Sequence, residues 1–161
     1  MATNLRPTYN QIPSAKDMSF GIVVSEWNPA ITDTLLEGAY NTLVANGAHP
    51  SNIFVKHVPG SFELVLGAQF FAEYTEVDAI ICLGCVIQGE TPHFTYICQG
   101  VTNGIAQLNL EYNIPFIFGV LTTDNFEQAR ERAGGKHGNK GEEAAAVAIK
   151  MVALQLSMEE E

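Results

Sequence analysis

Positive charge is scarce in this chain: 8 Lys and Arg stand against 18 Asp and Glu, a formal net charge of -10. That balance argues against nucleic acid, whose phosphates need clustered Lys and Arg. No apolar run approaches the roughly 18–20 residues of a membrane span. Residues 1–16 lack the apolar core of a signal peptide, so we expect a polar arm over 1–17 and a cytoplasmic protein. Cysteine is sparse as well. Cys82, Cys85 and Cys98 are odd in number and fall inside apolar patterns, which argues against a disulfide framework. No repeat, low-complexity tract or linker interrupts the 161 residues, of which 47% are hydrophobic. One compact domain over 18–161, with a sizeable core, is therefore expected.

The chain does carry a steady alternation of strand and helix patterns. Strands are expected over 20–25, 53–58, 77–87 and 115–121, the last two as near-continuous apolar runs suited to burial on both faces. Helices are expected over 30–46, 62–74, 93–112, 125–133 and 142–158. In the third helix Phe94, Ile97, Val101, Ile105, Leu108 and Tyr112 keep steps of three and four along one face, and Val147, Met151, Leu154 and Met158 do so in the last. Gly47, Gly134 and Gly135 punctuate helix ends. The series reads as an α/β fold, a parallel sheet with helices on both faces joined by right-handed crossovers. Ligands in such sheets bind beyond the carboxyl ends of the strands, which selects 26–28, 59–63, 88–93 and 119–124.

Residues 81–98 are the most informative of these. Thr91 is a natural N-cap, Pro92 suits the first helical position, and His93 then sits beside unpaired backbone donors at the positive end of a helix dipole. Such a place favours phosphate, and histidine titrates near neutrality, as a proton shuttle must. Alone, His93 would read as a solvated first-turn residue; the cap, the preceding strand and Gly89 favour function.

The remaining candidates divide. Cys82-x-x-Cys85 lacks a second Cys/His pair, and residues three apart in a strand face opposite ways, so Cys82 reads as packing while Cys85 lies nearer the site. Trp27, the only tryptophan, either caps the core or stacks on a flat heterocycle. Glu63 either answers a helix dipole or accepts N–H bonds from a pyrimidine-like ring. Half of the basic residues (Arg130, Arg132, Lys136 and Lys140) crowd into residues 130–140, a cationic spot suited to a small anion. The 133–141 segment lacks the Gly-Lys-Ser/Thr ending of a nucleotide loop and reads as a helix-to-helix connection. Within this cluster Arg132 is the side chain best shaped to grip phosphate bidentately.

Over about residues 18–158 the chain resembles the lumazine synthases of riboflavin biosynthesis. The likeness rests on Val-Pro-Gly-Ser-Phe-Glu (58–63), Gly-Cys-Val-Ile-Gln-Gly-Glu-Thr-Pro-His-Phe (84–94), Phe-Gly-Val-Leu-Thr-Thr (118–123) and Glu-Arg-Ala-Gly-Gly-Lys-His-Gly-Asn-Lys-Gly (131–141). It implies a flavodoxin-like, three-layer α/β/α fold with a central parallel four-stranded sheet. The implied activity, a transferase reaction, joins 5-amino-6-(D-ribitylamino)uracil and 3,4-dihydroxy-2-butanone 4-phosphate into 6,7-dimethyl-8-ribityllumazine, with phosphate and water released and no metal or other cofactor. Carried over by motif, Trp27 stacks on the pyrimidine, Ser61, Phe62 and Glu63 hold ring and ribityl chain, and Cys85, Val86 and Ile87 assist. Glu90 and Thr91 hold the phosphate with Arg132 as counterion, His93 donates a proton, and Phe118 closes the ring site from an adjacent subunit. The resemblance further implies a homopentamer, a sixty-subunit shell suggested by the short 134–141 loop, and association with riboflavin synthase.

Three positions depart from the family's commonest pattern: Trp27 stands where Phe is usual, Gln88 where a basic residue is frequent, and Glu90 sets a carboxylate beside a phosphate site. None removes a proposed catalytic group. Two rivals remain for testing, a non-catalytic flavin- or lumazine-binding shell of the same fold and a monomeric FMN carrier.

Overall fold

The computed structural model describes residues 11–161. Residues 1–10 of the expected arm lie outside the described residues; from its remainder Ile12 and Ala15 pack on the core, and the Ala15 N–H donates to the Asn46 carbonyl at 2.8 Å.

Strands β1 (Phe20–Ser25), β2 (Ile53–Val58), β3 (Ala79–Ile87) and β4 (Phe116–Thr123) form one parallel sheet in the order β2-β1-β3-β4. The two central strands are the most apolar, and β1 is buried along its whole length. Alternate residues feed two cores. Ile80 and Cys82 join Val23 on one face; Ile81, Leu83 and Cys85 join Ile22 and Val24 on the other. The two cysteines thus face opposite ways, as a strand's period of two requires.

Helices α1 (Pro29–Ala45), α4 (Phe126–Glu131) and α5 (Lys140–Glu159) cover one face, and α2 (Leu64–Tyr74) and α3 (His93–Tyr112) the other. This is the expected three-layer α/β/α architecture around a four-stranded parallel sheet. After β2 the chain returns across β1 to start β3, so the strand order reverses between β1 and β3. The crevice beyond those two carboxyl ends is where such a sheet binds ligands.

The last helix departs from the sequence expectation. The Val147, Met151, Leu154 and Met158 stripe exists, but it runs beside the β4 edge rather than into the core and is 41–65% exposed. Ala144, Ala145, Ala148, Ile149 and Val152 face the core instead. Small residues take the inner face because α5 runs hard against α1: a Cβ on Gly141 would stand 1.9 Å from the Leu35 carbonyl oxygen.

Two shorter stretches also differ. Where a helix-to-helix loop was expected, Ala133–Gly135 (β5) and Gly138–Asn139 (β6) form an antiparallel ribbon, so Gly135 lies within a strand rather than at a helix end. Before α2, Ser61–Glu63 forms a 3₁₀ turn and the α-helix begins only at Leu64, because the tighter turn tucks Ser61 inward while Phe62 and Glu63 stay in solvent.

Candidate active site

Asn28 ties the ends of β1 and β3 together. Its backbone takes the left-handed conformation (φ 60°, ψ 58°), which Asn tolerates better than most residues. Its Nδ2 donates to the Cys85 carbonyl at 3.3 Å, and the Glu26 N–H donates to Val58 O at 2.9 Å, drawing in the end of β2. Between these bonds Trp27 projects outward, 72% exposed. It is no lid over the core of this chain; its flat face is free. A Cβ placed on Gly60 would meet Trp27 Cδ1 at 3.5 Å and Glu63 Oε2 at 3.1 Å, so indole and carboxylate flank one backbone position. Phe62 is exposed on the same turn and leans toward Gly100 of α3. Ser61 turns the other way, buried, its hydroxyl without a partner among the described residues.

Beyond β3 the chain turns through 88–92 into α3. The Gln88 N–H donates to Thr123 O at 2.9 Å, and Glu90, Thr91 and His93 are all exposed. Helix α3 has the expected bounds, but its cap lies one residue later than expected: Pro92 takes the cap position, and its carbonyl accepts from the Thr95 N–H at 3.0 Å. Proline has no N–H to satisfy in either place, so the shift is cheap. Thr91 still serves the helix start, its Oγ1 accepting from the His93 N–H at 3.4 Å. His93 therefore opens α3, at the end of the dipole that favours anions.

Phe118 and Arg132 lie elsewhere. Phe118 is opposite Cys82 in the β3–β4 register, whereas the strand ends pair Ile87 with Thr123. Five residues at about 3.3 Å each put Phe118 roughly 16 Å down the sheet from those ends. There it lines, with Lys140, Val147 and Met151, an open groove of about 400 Å³. Arg132 closes α4. Its Nη1 donates to the Gln128 carbonyl at 2.9 Å and stands 4.0 Å from Glu131 Oε2. Its carbonyl accepts from the Lys140 N–H at 2.9 Å, so its backbone adjoins the Phe118 groove. One chain thus carries two separate groups of candidate residues.

Of the Cys85–Val86–Ile87 segment, the Cys85 thiol turns into the α1–α5 core, and burial pushes it up to about 11 and Cys82 up to about 12. Neither is a nucleophile at neutral pH. The strand end offers half-buried Val86 and Ile87 and a carbonyl already held by Asn28. Two residues passed over in the sequence gain weight here. Asn28 was signalled by an Asn-Pro step before a helix. Lys140, paired with Glu143 at 3.5 Å, was visible only as one of four clustered cations. Among the described residues no group of three or more His, Cys, Asp and Glu gathers as metal ligands, and no helix is long and apolar enough to cross a membrane.

A bare indole beside a carboxylate, beyond the switch point of an open parallel sheet, is equipment for holding a flat ring; the histidine-led helix start that follows the neighbouring strand β3 suits an anion. Together they mark an α/β enzyme of the flavodoxin-like class. Residues 17–155 match the family model of 6,7-dimethyl-8-ribityllumazine synthase, and the chain belongs to that family. Relatives named 6,7-dimethyl-8-ribityllumazine synthase include one from Parabacteroides distasonis, 62% identical over 144 residues (89% of this chain and 90% of the relative). Another, from Porphyromonas gingivalis, is 56% identical over 147 residues, 91% of each chain. A third, from Cytophaga hutchinsonii, is 58% identical over 150 residues, 93% of this chain and 94% of its own.

Proposed function

We propose that this chain condenses 5-amino-6-(D-ribitylamino)uracil with 3,4-dihydroxy-2-butanone 4-phosphate to give 6,7-dimethyl-8-ribityllumazine, phosphate and water. The observation that carries the reading is the exposed Trp27 face with the Glu63 carboxylate across Gly60, at the open end of the sheet. Trp27 stacks on the pyrimidine, Glu63 accepts its N–H bonds, and Phe62, Val86 and Ile87 border the ring. Ser61 adds a hydroxyl, and the turn with Glu90 and Thr91 receives the phosphate. The substrate amine attacks the ketone and water leaves as the imine forms; phosphate is then expelled and ring closure releases water again. Both reactants are already reactive, so holding them in register supplies much of the rate. His93 moves protons at the carbonyl and the leaving groups, and Arg132 balances the departing phosphate.

A homo-oligomer completes the site. Leu66, Phe70 and Tyr74 form one exposed stripe at steps of four on α2, continuing from Phe62, and the α5 stripe forms a second. Two different sticky faces on one chain favour a head-to-tail contact, which closes into a ring when the rotation allows. A pentamer is the ring we infer, and twelve such rings would make a sixty-subunit shell able to hold riboflavin synthase, the enzyme that consumes the product. The ring would bring Phe118 and Arg132 of one chain to the Trp27 and His93 of the next, supported by the distance of Phe118 from the strand ends within a single chain. Three free thiols suit a reducing cytoplasm.

Mixing both substrates with the protein tests the chemistry: no lumazine fluorescence above the uncatalysed background would sink it, and flavin binding without turnover would favour a storage shell. Sedimentation velocity tests assembly, since the FMN-carrier rival requires a monomer of 17.5 kDa.

A further inference from the structure

Gly84 lies on β3 opposite Val120, on the face covered by α2 and α3. A Cβ there would stand 2.7 Å from Ser61 Oγ, 2.9 Å from Leu64 Cδ1 and 3.3 Å from Ser25 Oγ. The first two atoms belong to the Ser61–Glu63 turn and the start of α2, so the turn rests directly on bare backbone. Ser25 and Ser61, the two hydroxyls that converge on this point, are also the buried side-chain polar atoms without a partner among the described residues. Ser25 is fully buried and Ser61 is 7% exposed. Proteins seldom leave such groups unpaired without a use. The same turn carries Phe62 and Glu63 outward, and a Cβ on Gly60 just before it would come within 3.5 Å of Trp27 Cδ1. Any shift of the turn therefore moves the ring-holding side chains together.

We propose that Gly84 is a positioning residue: the missing side chain seats the Ser61–Glu63 turn and so sets the height of Phe62 and Glu63 above the strand ends, and with it the affinity for the ring-bearing substrate. The inference rests on the reading that these residues hold that substrate. Gly84 touches no reacting atom and acts through Ser61. A methyl at this position needs more room than 2.7 Å from the Ser61 oxygen, and the turn is the part free to yield toward solvent.

The test is a cycle of Gly84→Ala, Ser61→Ala and both together. Trp27, the only tryptophan, reports titration with 6,7-dimethyl-8-ribityllumazine, and steady-state kinetics give KM for each substrate. Wild type comes first: no binding and no turnover there would sink the substrate reading itself, whereas an active wild type beside an unaffected Gly84→Ala sinks only the seat. Gly84→Ala is expected to raise the product Kd and the KM for the ribitylaminouracil about tenfold, as a displacement of less than ~1 Å would. KM for the butanone phosphate stays within about twofold. The double variant loses the closest contact, the Ser61 oxygen, and leaves the methyl only the flexible tip of Leu64 and Ser25 Oγ at 3.3 Å, so it binds no more weakly than Ser61→Ala alone. That comparison also stands if Gly84→Ala by itself does not fold. Equal losses for both substrates, or a double variant clearly weaker than Ser61→Ala, overturn the proposal.

Discussion

At the strand ends Trp27, Phe62 and His93 stand in solvent on a backbone braced by Asn28 and by the Gln88–Thr123 bond. At the β4 edge Phe118 lies half-buried in a groove, and Arg132 holds its own helix through Gln128 while Glu131 stands beside it. In the proposed reading the first region supplies a ring face and a proton-transfer group, and the second a cation and an aromatic wall. Each lacks what the other has, and the register separates Phe118 from the strand ends by about 16 Å. The difference is what the proposed ring accounts for: if the two groups are half-sites, a contact between copies would join them. Val147 and Met151 line the groove and belong to the exposed α5 stripe. The surface that would draw in a neighbour therefore adjoins the half-site that needs one.

The sharpest way to break this comparison is to block the contact. Met151→Glu with Leu154→Glu places two charges in the proposed interface, at a cost of several kcal/mol. The expected result is a folded monomer near 17.5 kDa by sedimentation, with turnover reduced to background. A fully active monomer would show that the halves work within one chain. Next in size is Arg132→Ala, which removes the proposed counterion of the phosphate and should lower kcat/KM on the order of 10²–10³-fold. Mixing it, unfolded and refolded together, with Trp27→Ala sharpens the point. Random assembly leaves roughly a quarter of between-chain sites with both halves intact, so activity should reappear. Two variants that stay inactive when mixed would place both halves in the same chain. His93→Ala comes third, at about tenfold to a hundredfold in kcat, because binding and proximity survive its loss. A loss confined to KM would recast His93 as a binding residue.

The two regions were also unequally legible in the sequence. The boundaries of β1 and β2 are those the apolar pattern implies, and β3 and β4 begin within two residues of it. The motif at 84–94 carries its cap, imidazole and strand end in one contiguous stretch, so the strand-end half could be read almost whole. What escaped there was the Asn28–Cys85 bond, which joins residues 57 apart and exists only once β1 and β3 lie side by side. The edge half was harder. The period of α5 announces an apolar stripe but not its partner, and only the crowding of α1 against Gly141 reveals that alanines win the inner face. The ribbon at 133–139 was missed because its two- and three-residue strands, rich in glycine, are too short to show alternation. Gly134 and Gly135, expected at a helix end, lie in that ribbon instead, and Gly134 and Gly138 take φ 93° and 84° along it.

The smallest expected effect concerns Trp27 itself. Trp27→Phe keeps a flat apolar face at the end of β1 but removes about 40 Å² of stacking surface, which at about 25 cal/mol per Å² is roughly 1 kcal/mol. Affinity for 6,7-dimethyl-8-ribityllumazine should weaken about fivefold, with kcat little changed, because the ring still finds its plane while the proton-transfer and phosphate groups are untouched. Fluorescence of the bound lumazine reads the change directly, since this variant has no tryptophan left. The result separates the halves in a way the larger losses cannot: Arg132→Ala should shift KM for the butanone phosphate, and Trp27→Phe only that for the ring substrate. If Trp27→Phe binds lumazine as tightly as wild type, the ring stacks elsewhere, and the exposure of Trp27 in the single chain reflects a subunit contact rather than a substrate face.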